Sequence, residues 1–162
     1  MADNSESDID IIRTIVSGTR IATLTTVSAS GELHSRPLAV LDTEFEGSVW
    51  FFTADPSPKT DDIARDPNVN VALSDGKSYL SLAGTAAVDR DQARIDELWN
   101  PFVEAWFENG KDDPNVALLR VDATSAEYWA IDKPGVVRAF EVAKALITKQ
   151  QPDVGENRTV SL

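Results

Sequence analysis

"RIATLTTVSASGELHSRPLAVLDTEFEGSVWFFT", residues 20–53, decides the fold. The first nine residues are rich in β-branched side chains and set Ile21, Thr23, Thr25 and Val27 on one side, the two-residue period of a strand. "ASGE" is a turn, and "LHSRPLAVL" (33–41) returns as a second strand, so 20–41 reads as a hairpin. "DTEFEG" turns again, and residues 48–53 make a third strand. Two tight connections between three strands predict an antiparallel meander.

The same punctuation continues outward. Ser7 reads as the N-cap of a first helix, with Asp10 in the acidic place of a capping box. Ile9, Ile12, Ile15 and Val16 then recur at helical spacing until Gly18. After Thr53, "ADPSPK" breaks the strand, and "TDDIARD" forms a short helix stopped by Pro67. Residues 68–75 and 78–90 read as two further strands, the second carrying Gly84 at a bulge or bend. Across 91–109, Ile95, Leu98, Phe102, Val103 and Trp106 fall at helical intervals, with Pro101 imposing a kink or a division into two helices. Residues 115–131 are strongly strand-like, 136–145 read as a last strand, and the tail reads as irregular.

Six or seven strands at hairpin spacing, with two or three helices outside their succession, predict a mainly β fold. It is a closed or nearly closed antiparallel barrel with peripheral helices. No strand–helix–strand rhythm, G-x-G-x-x-G or Walker motif supports a parallel nucleotide-binding sheet. The expected organisation is a single domain over 1–162, with a core at about 8–147 and a C-terminal tail at 148–162.

The chain has 162 residues, 42% of them apolar and 26% charged, ordinary proportions for one globular domain. Its formal net charge of −12 is a poor footprint for nucleic acid or an anionic membrane surface. There is no cysteine, which rules out thiol catalysis and disulfides and fits a reducing cytoplasm. One histidine, His34, leaves little material for a histidine metal site or a Ser-His-Asp triad. The acidic N-terminal stretch is unlike a targeting peptide, and no apolar run approaches the roughly 20 residues of a membrane-spanning helix. On such an acidic chain, an anionic ligand needs its few cations concentrated at one place.

Arg36 sits inside an otherwise apolar strand, immediately before Pro37. Its ordinary reading is a solvent-facing side chain or an ion pair with one of 27 carboxylates. Its functional reading is a planar fork gripping a phosphate. Downstream, Thr53 and Ser57 offer hydroxyls, the turn through Pro58 offers backbone N–H groups, and Lys59 stands beside a helix start whose dipole favours anions. The ordinary reading there is a proline-rich connector in which Ser57 caps the helix. Arg36 and Lys59 together can converge on one phosphate.

With "TVSASGELHSRPLAVL", "VWFFTADPSPKTDDI", "YLSLAGTAAV" and "EYW" in that order, the chain resembles the pyridoxamine 5'-phosphate oxidase-like flavin-binding split barrels, and among them the general stress protein 26 group. The resemblance runs from about Ile9 to Trp129. It implies an antiparallel split barrel that forms a homodimer, with flavin mononucleotide (FMN) held between the subunits and FAD as the alternative flavin. Arg36 then matches the strand arginine on the FMN phosphate. The backbone of Pro37, Leu38, Ala39 and Val40 runs along the ribityl chain and ring edge, and Thr53, Ser57, Pro58 and Lys59 match the phosphate-binding turn. Trp129 resembles a tryptophan that approaches the flavin from the partner chain. Its other reading is a strand aromatic in the dimer interface. Trp50, Phe51 and Phe52 can add an apolar wall. His34 reads as solvated or structural, and Trp99, Phe102 and Trp106 as covering one end of the barrel or packing at the dimer interface.

Two departures from the oxidases weaken vitamin B6 oxidation. Leu41 stands where they carry a substrate-binding lysine, and the segment after Trp129 has no histidine and only Arg138 nearby. Three functions remain open: an FMN-binding stress protein acting as an oxidoreductase of unspecified substrate, a true pyridoxamine 5'-phosphate oxidase, or a non-enzymatic module that stores flavin or binds a protein. All three expect a cytoplasmic protein with neither nucleic acid nor membrane as partner, and all but the protein-binding form of the third expect a flavin nucleotide.

Overall fold

A computed structural model describes residues 2–130 and 156–162 of the chain. Helix α1 spans Ala2–Gly18, and strands β1 (Ile21–Val27) and β2 (Leu33–Ala39) follow. The hairpin register pairs Ile21 with Ala39, Leu24 with Arg36 and Val27 with Leu33. Gly31 closes the turn at φ 86°, a left-handed conformation that glycine takes without a Cβ clash. Pro37 costs no ladder bond because β2 is an edge strand, the place where a missing N–H is tolerated.

The chain continues through β3 (Ser48–Ala54), α2 (Pro58–Arg65), β4 (Asn68–Ser74), β5 (Tyr79–Asp89), α3 (Gln92–Leu98), α4 (Pro101–Glu104), β6 (Val116–Ala130) and β7 (Glu156–Ser161). The sheet is antiparallel in the order β2-β1-β4-β5-β6-β3, with β7 also paired to β6. This is the mainly β architecture of a split barrel. The sheet does not close: just past β2, the Leu41 N–H donates to the Trp50 carbonyl at 3.0 Å, and no ladder joins β2 to β3 among the described residues.

Strand β3 is apolar on both faces, and each face has its own core. Val49 and Phe51 join Ile12 and Ile15 of α1, Leu24, Val71, Leu82 and Tyr128 in the main cluster. Trp50 turns the other way into a second cluster with Leu41, Ile95, Val103, Val116 and Leu118, flanked by Phe52, Trp99 and Phe107. Each fully buried large apolar side chain contributes roughly 1.5–3 kcal/mol, so a strand buried on both faces belongs between two layers.

That double burial corrects the predicted meander. β3 does not pair with β2; it crosses to the far edge and pairs with β6, Phe51 opposite Leu119 and Thr53 opposite Ala117. Ser7 lies within α1 rather than at its cap. The tail is not wholly irregular. β7 pairs with β6, and Arg158 reaches the Asp8 carboxylate at 3.1 Å, which also accepts from the Tyr128 hydroxyl at 2.7 Å. Gly84 marks the expected bulge, because the β5–β6 register shifts between Ala83 and Gly84. The helical stretch around Pro101 divides into α3 and α4. The strand expected at 136–145 lies outside the described residues, as does Arg138. No helix among the described residues is long and apolar enough to cross a membrane.

Candidate functional site

Strand β2 and helix α2 bring the two cations together. Arg36 pairs across the hairpin with Leu24, so its side chain leaves the strand on the face where Leu24 is buried. Its Nη1 donates to Thr26 Oγ1 at 2.9 Å, and its Nη2 lies 3.9 Å from Asp62 Oδ2. Lys59 stands in the first turn of α2 and donates to Ser57 Oγ at 3.3 Å. Among the described residues, Lys59 pairs with no carboxylate. Burial first, and the Arg36 guanidinium second, lower the Lys59 pKa from the ordinary value. Two cations that feel one another, one of them without a carboxylate partner among the described residues, concentrate positive charge here.

The turn before α2 is built to hold that arrangement. Ser57 caps the helix: its Oγ accepts from the Thr60 N–H at 3.4 Å, while its own N–H donates to Thr60 Oγ1 at 2.9 Å. Pro58 occupies the first helical turn, where its missing N–H is harmless. The ordinary reading of Ser57 therefore holds, and the cap is also what sets its hydroxyl beside Lys59. Arg90, just past β5, steadies the turn, pairing with the Asp55 carboxylate and donating to the Pro114 carbonyl at 3.0 Å.

Lys59 lines one cavity of about 530 Å3 together with Ile21, Pro37, Leu38, Ala39, Leu41, Phe52, Thr53, Ala54, Phe102, Val103, Trp106 and Phe107. That volume lies within the range of small-molecule sites, roughly 300–1,000 Å3. Lys59 is the only charged side chain among those residues, and the rest of the lining is overwhelmingly apolar. The combination suits a ligand with an anionic end and a flat, weakly polar body.

The sequence profile of proteins described as pyridoxamine 5'-phosphate oxidase like matches residues 7–153. The chain belongs to the pyridoxamine 5'-phosphate oxidase-like family. It is 31% identical over 145 residues to protein bli-3 of Neurospora crassa, covering 83% of this chain and 69% of that protein. It is 29% identical over 108 residues to general stress protein 26 of Bacillus subtilis, covering 64% and 74%. The crystal structure of the general stress FMN/FAD binding protein from Xanthomonas citri is similar with a TM-score of 0.67 and 32% identity, covering 78% of this chain and 92% of that one.

Within this pyridoxamine 5'-phosphate oxidase-like barrel, Pro37, Leu38, Ala39, Phe52, Thr53 and Lys59 share the cavity. Arg36, Ser57 and Pro58 are not among the cavity-lining residues; Ser57 Oγ accepts from Lys59 Nζ at 3.3 Å, and Arg36 acts on Lys59 through its charge. Thr53 is buried, and its hydroxyl donates to the Ala54 carbonyl at 3.1 Å. Val40 is not among the cavity-lining residues and packs against the main core. Trp129 stands apart, opposite Tyr79 on β5, with 39% of its surface exposed. His34 is exposed and 3.8 Å from Glu32. Trp99 packs edge-on against Phe52, centroids 5.5 Å apart, and against the second core. Phe102 and Trp106 are exposed at the cavity instead. Leu41 is buried in the second cluster and lines the cavity, so that position is apolar.

Sequence reasoning missed Ile21, Phe107, Thr26 and Asp62. The run of aromatics over 99–107 is the signal that could have found Phe107. Strand alternation sets Thr26 on the opposite side from Thr23 and Thr25, but nothing in the sequence marks it as the partner of Arg36.

Proposed function

We propose that this protein binds a flavin nucleotide, FMN in the first instance and FAD as the alternative. The observation that carries this is Lys59, a half-buried cation without a carboxylate partner among the described residues, held beside Arg36 at an apolar cavity. Arg36, Lys59 and Ser57 would hold the phosphate, since clustered donors and a helix start favour a doubly charged oxyanion. Pro37, Leu38, Ala39, Phe52 and Thr53 would line the ribityl chain and ring. The name of the Xanthomonas citri relative, an FMN/FAD binding protein, supports the same ligand.

When bound, flavin supplies hydride or electron transfer, and the protein supplies orientation and electrostatics. Apart from Lys59, none of the described cavity-lining residues is ionisable, so they offer no carboxylate or imidazole base. A low-specificity oxidoreductase of the general stress protein 26 group fits this better than a true pyridoxamine 5'-phosphate oxidase. A second phosphate would meet Leu41 where a cation is needed. We take the functional unit to be a cytoplasmic homodimer. Trp129, Tyr79 and Ile21, exposed apolar side chains on the outer strand faces, would face the second copy and its flavin.

The test is the absorption spectrum of the purified protein and the identity of any chromophore released on denaturation. A flavin spectrum, or saturable uptake of added FMN or FAD, is the expected result. A colourless protein that takes up neither flavin contradicts the proposal.

A further inference from the structure

Arg36 is not free to choose its position. Thr26 Oγ1 accepts from Arg36 Nη1 at 2.9 Å and donates to Asp62 Oδ2 at 3.0 Å. The same carboxylate oxygen lies 3.9 Å from Arg36 Nη2, and Asp62 Oδ1 lies 3.6 Å from Arg65 Nη1. Thr26 is fully buried and Asp62 nearly so, at 0% and 8% exposure. A carboxylate taken out of water is costly unless paired and hydrogen-bonded, and here the pairing joins β1, β2 and α2. Asp62 lies three residues after Lys59 on α2, one turn along the helix. The carboxylate therefore ties Arg36 to the very helix that carries Lys59.

Like charges repel, and an arginine side chain on an edge strand has solvent to swing into. We infer that Thr26 and Asp62 are positioning residues for anion binding: they clamp Arg36 against α2 so that it faces Lys59 before the anion arrives. The inference rests on the phosphate reading of Arg36 and Lys59. Its physical content is preorganisation, in which the cost of holding two cations together is met on folding rather than on binding.

The experiment measures FMN and riboflavin affinities of wild type, Thr26→Val, Thr26→Ser, Arg36→Ala and the double variant Thr26→Val/Arg36→Ala. Thr26→Val keeps the side-chain shape and removes the hydroxyl. It is expected to weaken FMN about tenfold, the scale of one hydrogen bond to a charged group, with riboflavin unchanged. Thr26→Ser restores FMN affinity, and Thr26→Val has no further effect once Arg36 is alanine. Asp62→Asn is read by the same cycle: its effect on FMN, in either direction, disappears in the Arg36→Ala background.

Wild-type FMN affinity in Thr26→Val, equal loss of both ligands, or a penalty that persists without Arg36 overturns the positioning role. It leaves the phosphate site standing if Arg36→Ala alone weakens FMN selectively. If Arg36→Ala leaves the preference for FMN over riboflavin unaltered, the phosphate reading falls and the inference falls with it.

Discussion

The Arg36 guanidinium on β2 depresses the pKa of Lys59 on α2, acting after burial as the second cause of the shift. The two residues are 23 positions apart in the sequence, and the hairpin and the turn after β3 bring them into one electrostatic neighbourhood. Arg36 has Asp62 behind it, whereas among the described residues Lys59 has only the Ser57 hydroxyl and Arg36's repulsion. An arriving dianion relieves that repulsion.

The pH dependence follows with a definite sign. Lys59 loses its proton in the folded protein below the ordinary lysine value of 10.5. Between the depressed value and 10.5, the unfolded chain holds the proton and the folded chain does not, so the ligand-free protein gains stability as pH rises through that window. The FMN-to-riboflavin affinity ratio, which cancels the shared ring, falls as pH rises through the same window. Lys59→Met removes both trends. Thermal midpoints and binding titrations at stepped alkaline pH check this, and a pH-independent ratio in wild type contradicts it.

Ser57 carries two separable roles. Ser57→Ala removes the α2 cap and costs about 1 kcal/mol, a fall of about 2–4 °C in Tm for a chain of this length. It also removes the oxygen that accepts from Lys59, so FMN affinity falls. Ser57→Asp restores the cap and places a carboxylate beside Lys59. Stability is expected to recover while FMN binding drops further. Calorimetry and FMN titration on the two variants separate the effects.

Gly84 belongs to the fold rather than the site. A Cβ there would stand 2.0 Å from the Asp122 carbonyl oxygen and 2.8 Å from its carbon, backbone atoms that cannot yield without breaking the β5–β6 bulge. Gly84→Ala is expected to cost about 3 kcal/mol, the upper end of ordinary single substitutions. Chemical denaturation measures it, and a loss below about 1 kcal/mol, within the commonest range for any substitution, contradicts the close approach.

Pyridoxamine 5'-phosphate is expected to be a poor substrate. Lys59 is the only cation lining the cavity among the described residues, and one phosphate-binding end cannot serve both FMN and a phosphorylated substrate. Incubating the flavin-loaded protein with pyridoxamine 5'-phosphate under oxygen should release no peroxide above background. Steady turnover would restore the oxidase reading.

How far the sequence carried depends on the range of each signal. Local signals were legible. Gly84 announced its bulge, Pro101 divided the helical stretch, and Ser57 announced its cap. β3 was misassigned because a short connection ordinarily joins neighbouring strands, and only burial on both faces explains why it leaves β2 for β6. Lys59 and Arg36 were legible as charges out of place, but the carboxylate that holds Arg36 was not. Asp61 and Asp62 look alike in sequence, and only the packing of α2 on β1 chooses which one is buried. β7 was missed because its contacts are non-local: it pairs with β6, and Arg158 reaches Asp8 across almost the whole chain.

The most direct measurement is the affinity of flavin-free protein for FMN and for riboflavin, in wild type and in Arg36→Ala and Lys59→Met. Wild type should prefer FMN by at least about a hundredfold, the scale of two hydrogen bonds to a charged phosphate. Each substitution should lower that preference about tenfold or more while leaving riboflavin affinity nearly unchanged. Equal affinity of wild type for the two ligands would contradict the account.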